Sequence, residues 1–284
     1  MRRLDNPPYS GEATLEKCIE GIGRQAYKDQ VTAGLQSFLN FENEYRDRAI
    51  NERLYSVAPL VQDGNTDPEV FNGFKKSQLV NLYEYYLRNK EKPGREIYEA
   101  LMLHADEQCA FCGGIGRPRN LDHYLPKAHF PQFSVIPINL IPACQECNMD
   151  GKGSAYARNS AEQIIHPFLD KDIFFNDQWI TAIYIDGDPG TVQYDFMPPN
   201  TWAQVDKDRA EKHFQDFNIA KRFSIEAGKH LSEVVPQRDI SLPIIGEENF
   251  KACFFLPVIT TAAFPNHWKR VMYQALILNE EFWK

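Results

Sequence analysis

The apolar positions in the first third of the chain recur at helical spacing. Val31, Leu35, Phe38 and Leu39 fall at i, i+4, i+7 and i+8, so they share one face of a predicted helix. The same spacing recurs further along, on a face formed by Leu79, Leu82, Tyr83, Tyr86 and Leu87. Amphipathic helices are therefore expected before and after residue 60.

Capping and breaking residues set the boundaries of these helices. Ser77 is a suitable N-cap for the second helix, which should end before Pro93. A third helix is predicted from about Arg95 to the first cysteine pair, and Asp63-Gly64-Asn65 marks a loop between the first two helices. Residues 1–105 are thus predicted to form an N-terminal helical region.

The last third of the chain begins with a β-rich pattern. Residues 179–184 and 191–196 are rich in β-branched and aromatic side chains, and they flank Asp186-Gly187-Asp188-Pro189-Gly190. Two such runs around a turn-forming segment predict a β-hairpin. This hairpin opens a predicted C-terminal region over residues 171–284.

Helical spacing resumes after the hairpin. It extends over residues 205–235, with a predicted break near Asn218 and a stop at Pro236, because proline lacks the backbone N–H that a helix interior needs. A terminal helix is predicted over residues 266–279. The C-terminal region is therefore a hairpin followed by helices.

The middle of the chain, residues 106–170, carries short β-rich segments. A first strand is predicted over 120–124 and a second over 134–137. A helix is predicted to begin near Pro142, since proline suits the first turn of a helix. The expected fold class is α+β, mostly α, with a central ββα module between helical flanks.

The composition is that of a globular protein without membrane segments. With 284 residues, of which 43% are hydrophobic, the chain can bury a core as one elaborated domain or two small ones. The first residues lead into polar sequence, and no apolar run is long enough to cross a bilayer. We therefore expect a cytoplasmic protein with no membrane partner.

Four of the six cysteines form two CxxC pairs, Cys109/Cys112 and Cys144/Cys147. Each pair can present two thiolates to one tetrahedral zinc ion, and two pairs fill all four positions. A closed four-thiolate site has no position left for water or substrate, so the predicted zinc is structural. The chemistry is then expected in the segment that the zinc holds in place.

That segment contains Asp122-His123 and Asn139-Leu140, and Asn148 directly follows the last cysteine. In this order the stretch from Cys109 to about Lys152 resembles the HNH endonuclease family, whose ββα-metal motif is often bracketed by two CxxC knuckles. The resemblance covers roughly a sixth of the chain. The sequence departs from the family in one place. The family usually has a lysine three residues after the third motif position, which Asn148 occupies here, whereas Lys152 follows Asn148 by four residues.

The resemblance implies a site that cleaves phosphodiesters. His123 would activate water, a task that suits a group titrating near neutral pH. Asp122 and Asn148 would hold Mg²⁺ or Mn²⁺, which prefer oxygen ligands and act as Lewis acids. Asn139 is expected to bond loop backbone and hold His123 in register. His166, in a His-Pro-aromatic step that recurs in some relatives, either reaches the catalytic metal or is a capped turn residue.

The net charge of −8 is unfavourable for nucleic-acid binding, which rests on Lys and Arg that neutralise phosphates. A local excess of basic residues inside the motif supplies the predicted nucleic-acid contacts Arg117, Arg119, Lys127 and Lys152. The acidic balance of the whole chain predicts that a basic partner or a second subunit contributes to the binding.

The expected function is metal-dependent hydrolysis of nucleic acid, with DNA as the expected substrate and 5′-phosphate and 3′-hydroxyl products. The flanks resemble stand-alone HNH proteins of bacterial antiphage systems such as the Septu type, in which the nuclease is paired with an ATPase. A restriction-type or mobile-element nuclease is the competing use. The non-enzymatic alternatives are a zinc-stabilised nucleic-acid-binding or assembly module and a degenerate, inactive HNH module.

Overall fold

The computed structural model describes residues 1–61, 64, 66–188 and 190–284. Asp63 and Asn65 of the predicted loop and Pro189 of the predicted hairpin turn lie outside the described residues. Within them, the fold is α+β and mostly helical, with three antiparallel sheets of two strands each. The predicted fold class is confirmed.

The N-terminal region consists of short helices. They are α1 Gly11–Glu20, α2 Gln25–Ala33, α3 Leu35–Ile50, α4 Lys76–Asn81 with its π-helical continuation Leu82–Leu87, and α5 Arg95–Leu103. A small hairpin of β1 Glu69–Phe71 and β2 Phe74–Lys75 precedes α4. The helical face predicted from Val31 is divided between α2 and α3 at Gly34, a residue that favours helix ends over helix interiors.

Two short strands pair in the middle of the chain. They are β3 Asn120–His123 and β4 Leu140–Ala143, and they place Asp122 opposite Ile141. The predicted first strand is confirmed. The second strand predicted over 134–137 is wrong, and so is the helix predicted to begin near Pro142, because the helical segment that follows β4 is the π-helical turn Glu146–Lys152.

Side-chain hydrogen bonds explain the displaced strand. The backbone carbonyl of Ser134 accepts from His123 Nε2 at 2.9 Å, and that of Phe133 accepts from Asn139 Nδ2 at 3.1 Å. Carbonyl groups engaged in this way do not form a strand ladder. Pro142 fits in β4 opposite Leu121 because a two-stranded sheet consists of edge strands, where a missing N–H is tolerated.

The C-terminal region begins with a short helix, α6 Ile173–Asn176, and the predicted hairpin, β5 Ile180–Ile185 and β6 Thr191–Phe196. The hairpin prediction is confirmed. The helices that follow are α7 Gln204–Asp216, α8 Ile219–Ile245, α9 Glu247–Phe250 with its π-helical continuation Lys251–Phe255, α10 Leu256–Thr261 and α11 Trp268–Leu278.

The predicted break near Asn218 is present, but the predicted stop at Pro236 is wrong. Asn218 has a φ of 48°, in the left-handed region that asparagine tolerates better than most residues. Helix α8 continues past Pro236 to Ile245. A proline in a helix interior costs about 3 kcal/mol, and the packing of Leu242 and Ile245 against the core acts in the opposite direction.

The buried apolar side chains form two clusters. The larger cluster combines residues of the middle segment with the C-terminal hairpin and helices, and it includes N-terminal residues such as Tyr45 and Leu54. The smaller one combines the N-terminal helices with Leu121, Val135 and Leu140. The middle segment therefore shares its core with both flanks, and the predicted region boundaries at residues 105 and 170 stay predictions. No helix in the described ranges is long and apolar enough to span a membrane.

Candidate functional site

A tight turn presents the first cysteine pair. Cys109 N donates to Gly116 O at 2.9 Å, and Gly114 N donates to Cys109 O at 2.9 Å. Gly113 and Gly114 have φ values of 64° and 87°, which favour glycine over residues with a Cβ. The chain therefore folds back on itself at this pair.

The second cysteine pair completes a four-sulfur cluster. Cys144 follows β4, and Cys147 lies in the π-helical turn. The four cysteines are buried, and their Sγ atoms all lie within 4.8 Å of one another. Four thiolates around one zinc ion have their sulfurs about 3.8 Å apart, from Zn–S bonds of about 2.3 Å. The cluster of Cys109, Cys112, Cys144 and Cys147 can therefore hold a metal such as zinc.

His123 is fixed at the end of β3 by two contacts. Its Nε2 lies 2.9 Å from Ser134 O, and its ring meets Tyr83 edge-on with the ring centres 4.3 Å apart. Burial lowers the pKa of His123 to about 3, well below the near-neutral value expected from the sequence, so the imidazole is neutral at physiological pH. A carbonyl only accepts hydrogen bonds, so Nε2 carries the hydrogen and Nδ1 keeps the lone pair.

Asp122 is a buried carboxylate with a buried cationic partner. Lys152 Nζ lies 3.3 Å from Asp122 Oδ2 and donates to His123 O at 2.5 Å. Burial raises the pKa of Asp122 and lowers that of Lys152, while their mutual attraction acts in the opposite direction on each. The ammonium of Lys152 is buried between the strand and the π-helical turn, in contact with Asp122 and the His123 carbonyl, and the nucleic-acid contact expected of Lys152 stays a prediction.

Asn139 closes the loop that carries the Ser134 carbonyl. Its Oδ1 accepts from Leu125 N at 2.7 Å, and its Nδ2 donates to Leu125 O at 3.2 Å and to Phe133 O at 3.1 Å. The side chain is fully buried. The predicted bonds from Asn139 to the loop backbone are present, and they position the carbonyl that orients His123.

A polar cavity of about 290 Å³ joins the candidate residues. Its lining includes the functional groups Asp122, His123, Asn148, Arg88, Arg119 and Lys127. The cavity thus brings together a neutral imidazole, a carboxylate, an amide and three cationic side chains. Asn148 reaches it from the turn that carries Cys147, one residue away.

Sequence reasoning missed two residues of this cavity. Arg88 comes from the end of the π-helical continuation of α4, far from the motif in sequence, and no local pattern marks it. Asn120 lies two residues before Asp122, so both side chains project from the same face of β3. Asn120 Oδ1 is buried and lacks a hydrogen-bond donor among the described residues, whereas the buried Asp122 Oδ2 has the Lys152 ammonium as its ion-pair partner.

An acidic side chain pairs with two cations at this cavity. Glu84 accepts from Arg88 at 2.7 Å and lies 3.2 Å from Lys127 Nζ. Lys127 Nζ also lies 5.5 Å from the centre of the Tyr83 ring. The partly exposed Glu84 carboxylate therefore holds the two cations next to the candidate residues.

Two predicted site residues lie elsewhere among the described residues. Arg117 is exposed and pairs with Glu107 at 2.8 Å, and it is not part of the cavity lining. His166 is buried, with Nε2 3.0 Å from Tyr45 Oη. Its Nδ1 accepts from the N–H groups of Phe168 and Leu169, both at 3.3 Å. These contacts match the capped-turn interpretation, since both ring nitrogens already have protein partners.

The whole chain is similar to a protein from a bacterial virus. Protein ea31 from Escherichia phage lambda is 40% identical over 300 aligned residues, which cover 100% of this chain and 99% of the relative. No protein-family profile matches the chain. No solved structure matches it. The chemistry therefore has to be inferred from the site itself.

Proposed function

The chain belongs to the family of Protein ea31 from Escherichia phage lambda, and we propose that it is a metal-dependent endonuclease of the HNH type. The proposed substrate is DNA, and the reaction is hydrolysis of a phosphodiester bond to leave 5′-phosphate and 3′-hydroxyl ends. The observation that carries the proposal is the polar cavity in which His123, Asp122 and Asn148 meet three cationic side chains.

His123 is the proposed general base. Since Nε2 donates to the Ser134 carbonyl, Nδ1 is the nitrogen that accepts a proton from an attacking water. The bond to Ser134 and the edge contact with Tyr83 hold the ring in one orientation. A fixed orientation matters because general-base catalysis requires the base within hydrogen-bond reach of the proton it removes.

Asp122 and Asn148 are the proposed ligands of Mg²⁺ or Mn²⁺. Their oxygens suit hard cations, which keep several waters and need only a few protein ligands. The buried Oδ1 of Asn120, which lacks a hydrogen-bond donor among the described residues, adds to the case for a cation at this strand. The bound ion supplies Lewis acidity and stabilises the leaving oxygen. Lys152 holds the Asp122 carboxylate in place through their ion pair.

Arg88, Arg119 and Lys127 are the proposed phosphate contacts. They line the same cavity as the base, and duplex affinity rests largely on such cations. In the free protein Glu84 partly neutralises Arg88 and Lys127. A phosphate that enters the cavity would take over these two cations from Glu84.

Zinc is the proposed occupant of the cysteine cluster because four buried thiolates without an open position match its structural sites. It would fix the turn that carries Asn148. The proposed biological setting is antiphage defence with a protein partner such as an ATPase. The net charge of −8 supports a partner that supplies additional positive charge.

Plasmid cleavage tests the proposed activity. Purified full-length chain is incubated with supercoiled plasmid and Mg²⁺ or Mn²⁺, with and without EDTA, next to His123→Ala and His129→Ala. His129 is a matched control, since it lies in the loop that follows β3 and its ring packs on Tyr156, with the ring centres 4.9 Å apart. We expect His123→Ala to reduce nicking by about 100-fold or more, with His129→Ala at the wild-type rate.

Two results would contradict the proposal. Equal nicking by both variants would remove His123 from the chemistry, and nicking that persists in EDTA would remove the divalent ion. A folded, zinc-containing chain that shifts the plasmid in a gel but leaves it intact with either ion would favour the zinc-stabilised binding module instead.

A further inference from the structure

An arginine from the C-terminal region reaches the four-sulfur cluster. Arg222 lies in the first turn of α8, where its N–H donates to Asn218 O at 3.1 Å. Its Nη1 donates to Cys147 Sγ at 3.1 Å, and its Nη2 lies 3.4 Å from both Cys112 Sγ and Cys144 Sγ. One guanidinium group therefore contacts three of the four sulfurs and bridges both CxxC pairs.

The backbone around Gly116 leaves room for this contact. A Cβ at Gly116 would lie 2.4 Å from Cys144 Sγ and 3.1 Å from Arg222 Nη2, so any larger residue would displace them. Gly116 N itself donates to Cys112 Sγ at 3.3 Å. The sulfurs of Cys112, Cys144 and Cys147 thus receive N–H donors from a guanidinium and a backbone amide, in a space that only glycine leaves open.

We propose that Arg222 retains the metal in the cysteine cluster by neutralising and hydrogen-bonding its thiolates. This inference rests on the proposal that the cluster holds zinc. Four thiolates and one Zn²⁺ carry a net negative charge, which the guanidinium offsets at short range. The N–H groups of Arg222 also hold the three sulfurs in place through hydrogen bonds, as outer contacts of metal ligands do.

The consequence is a link between two parts of the chain. The cysteines lie in the middle segment, whereas Arg222 lies on α8, whose Phe223, Ala227 and Leu231 are buried in the large core cluster. Metal retention therefore depends on the docking of α8. A predicted module ending at residue 170 would lack this contact.

Zinc release from the full-length chain tests the inference. Zinc content is first measured by mass spectrometry for wild type, Arg222→Gln and Lys221→Gln. Transfer of zinc to a coloured chelator in excess is then followed by absorbance at fixed pH. Lys221 is the control, because it is the adjacent exposed cation on the same helix and its loss changes the net charge equally.

We expect Arg222→Gln to release zinc about 10-fold faster or more, the usual effect of removing an outer contact of a metal ligand, with Lys221→Gln at the wild-type rate. Equal rates for Arg222→Gln and wild type would overturn the inference. If Arg222→Gln does not fold, Arg222→Lys decides, since lysine keeps the positive charge but lacks the planar fork whose two nitrogens reach the three sulfurs. Faster release then supports the inference, and the wild-type rate overturns it. A folded wild type without zinc would instead contradict the proposed zinc site on which the inference rests.

Discussion

Replacement of Asn139 by alanine is the most direct test of how the loop orients His123. Three backbone groups lose their partner in this variant, namely Leu125 N–H, Leu125 C=O and Phe133 C=O. Each buried hydrogen bond contributes about 1 kcal/mol, and more when its partner stays unsatisfied. The free energy of unfolding of Asn139→Ala is therefore expected to be lower than that of the wild type by at least about 3 kcal/mol.

This loss of stability corresponds to a measurable decrease in the midpoint temperature of thermal unfolding. The entropy of unfolding is about 2.1 cal/mol/K per residue, which for a chain of 284 residues gives a shift of about 5 °C for 3 kcal/mol. Asn139→Asp keeps the shape but turns a charged oxygen toward two carbonyls, so it should destabilise at least as much as Asn139→Ala. A packing-only role predicts the opposite, with Asn139→Asp close to wild type.

The assay is thermal unfolding followed by circular dichroism at neutral pH, with zinc present in all samples. Asn40→Ala is the control, because Asn40 is an exposed amide on α3 that accepts from Gln36 one turn earlier on the same helix. This change should alter the free energy of unfolding by no more than about 0.5 kcal/mol. If Asn139→Ala unfolds within 1 °C of this control, the loop is not held by the Asn139 amide and the account of His123 positioning is refuted.

Three further predictions concern charge. Glu84→Gln frees Arg88 and Lys127 from their carboxylate, so DNA binding in a mobility-shift assay should tighten by about 2- to 5-fold; weaker binding would contradict this. Arg209→Met leaves the buried Asp170 carboxylate without its cation, and chemical unfolding should show a loss of about 3–5 kcal/mol; an unchanged midpoint would argue against it. Burial lowers the pKa of His213 from 6.5 to about 3, so the unfolded chain binds a proton at this histidine more readily than the folded chain does. The free energy of unfolding is therefore highest above pH 6.5 and decreases as the pH falls toward 3. From about pH 7.5 to pH 5 this loss is about 2 kcal/mol, and it should be absent in His213→Gln; equal pH dependence of the two proteins would refute it.

The sequence was sufficient where the pattern is local or the geometry of a metal restricts the answer. Two CxxC pairs can converge only if the chain between them folds back, and the four sulfurs do lie together. The strand at Asp122 and the β5–β6 hairpin follow from β-rich runs of a few residues. In each case the determining residues are neighbours in sequence or share one known bonding geometry.

The sequence was insufficient where contacts between distant residues override a local preference. The Ser134 carbonyl accepts a hydrogen bond from His123 instead of pairing with a neighbouring strand. The β-rich segment around Ser134 therefore does not form the predicted strand. Pro236 lies inside α8 because the residues after it pack on the core. Arg88 and Arg222 contact the middle segment from the two flanking regions, and the spacing of residues within the motif does not predict these contacts.

Net charge and local charge act over different distances, and this difference matters for the proposed activity. At physiological salt, exposed charges are screened beyond about 8 Å, so the net charge of −8 opposes the approach of DNA more than its contacts inside the cavity. There, Arg88, Arg119 and Lys127 line the same cavity as Asp122 and His123. A chain with this distribution should bind a phosphate well once DNA is delivered and recruit DNA poorly by itself. The same acidic surface that weakens recruitment is therefore the reason to expect a partner that performs it.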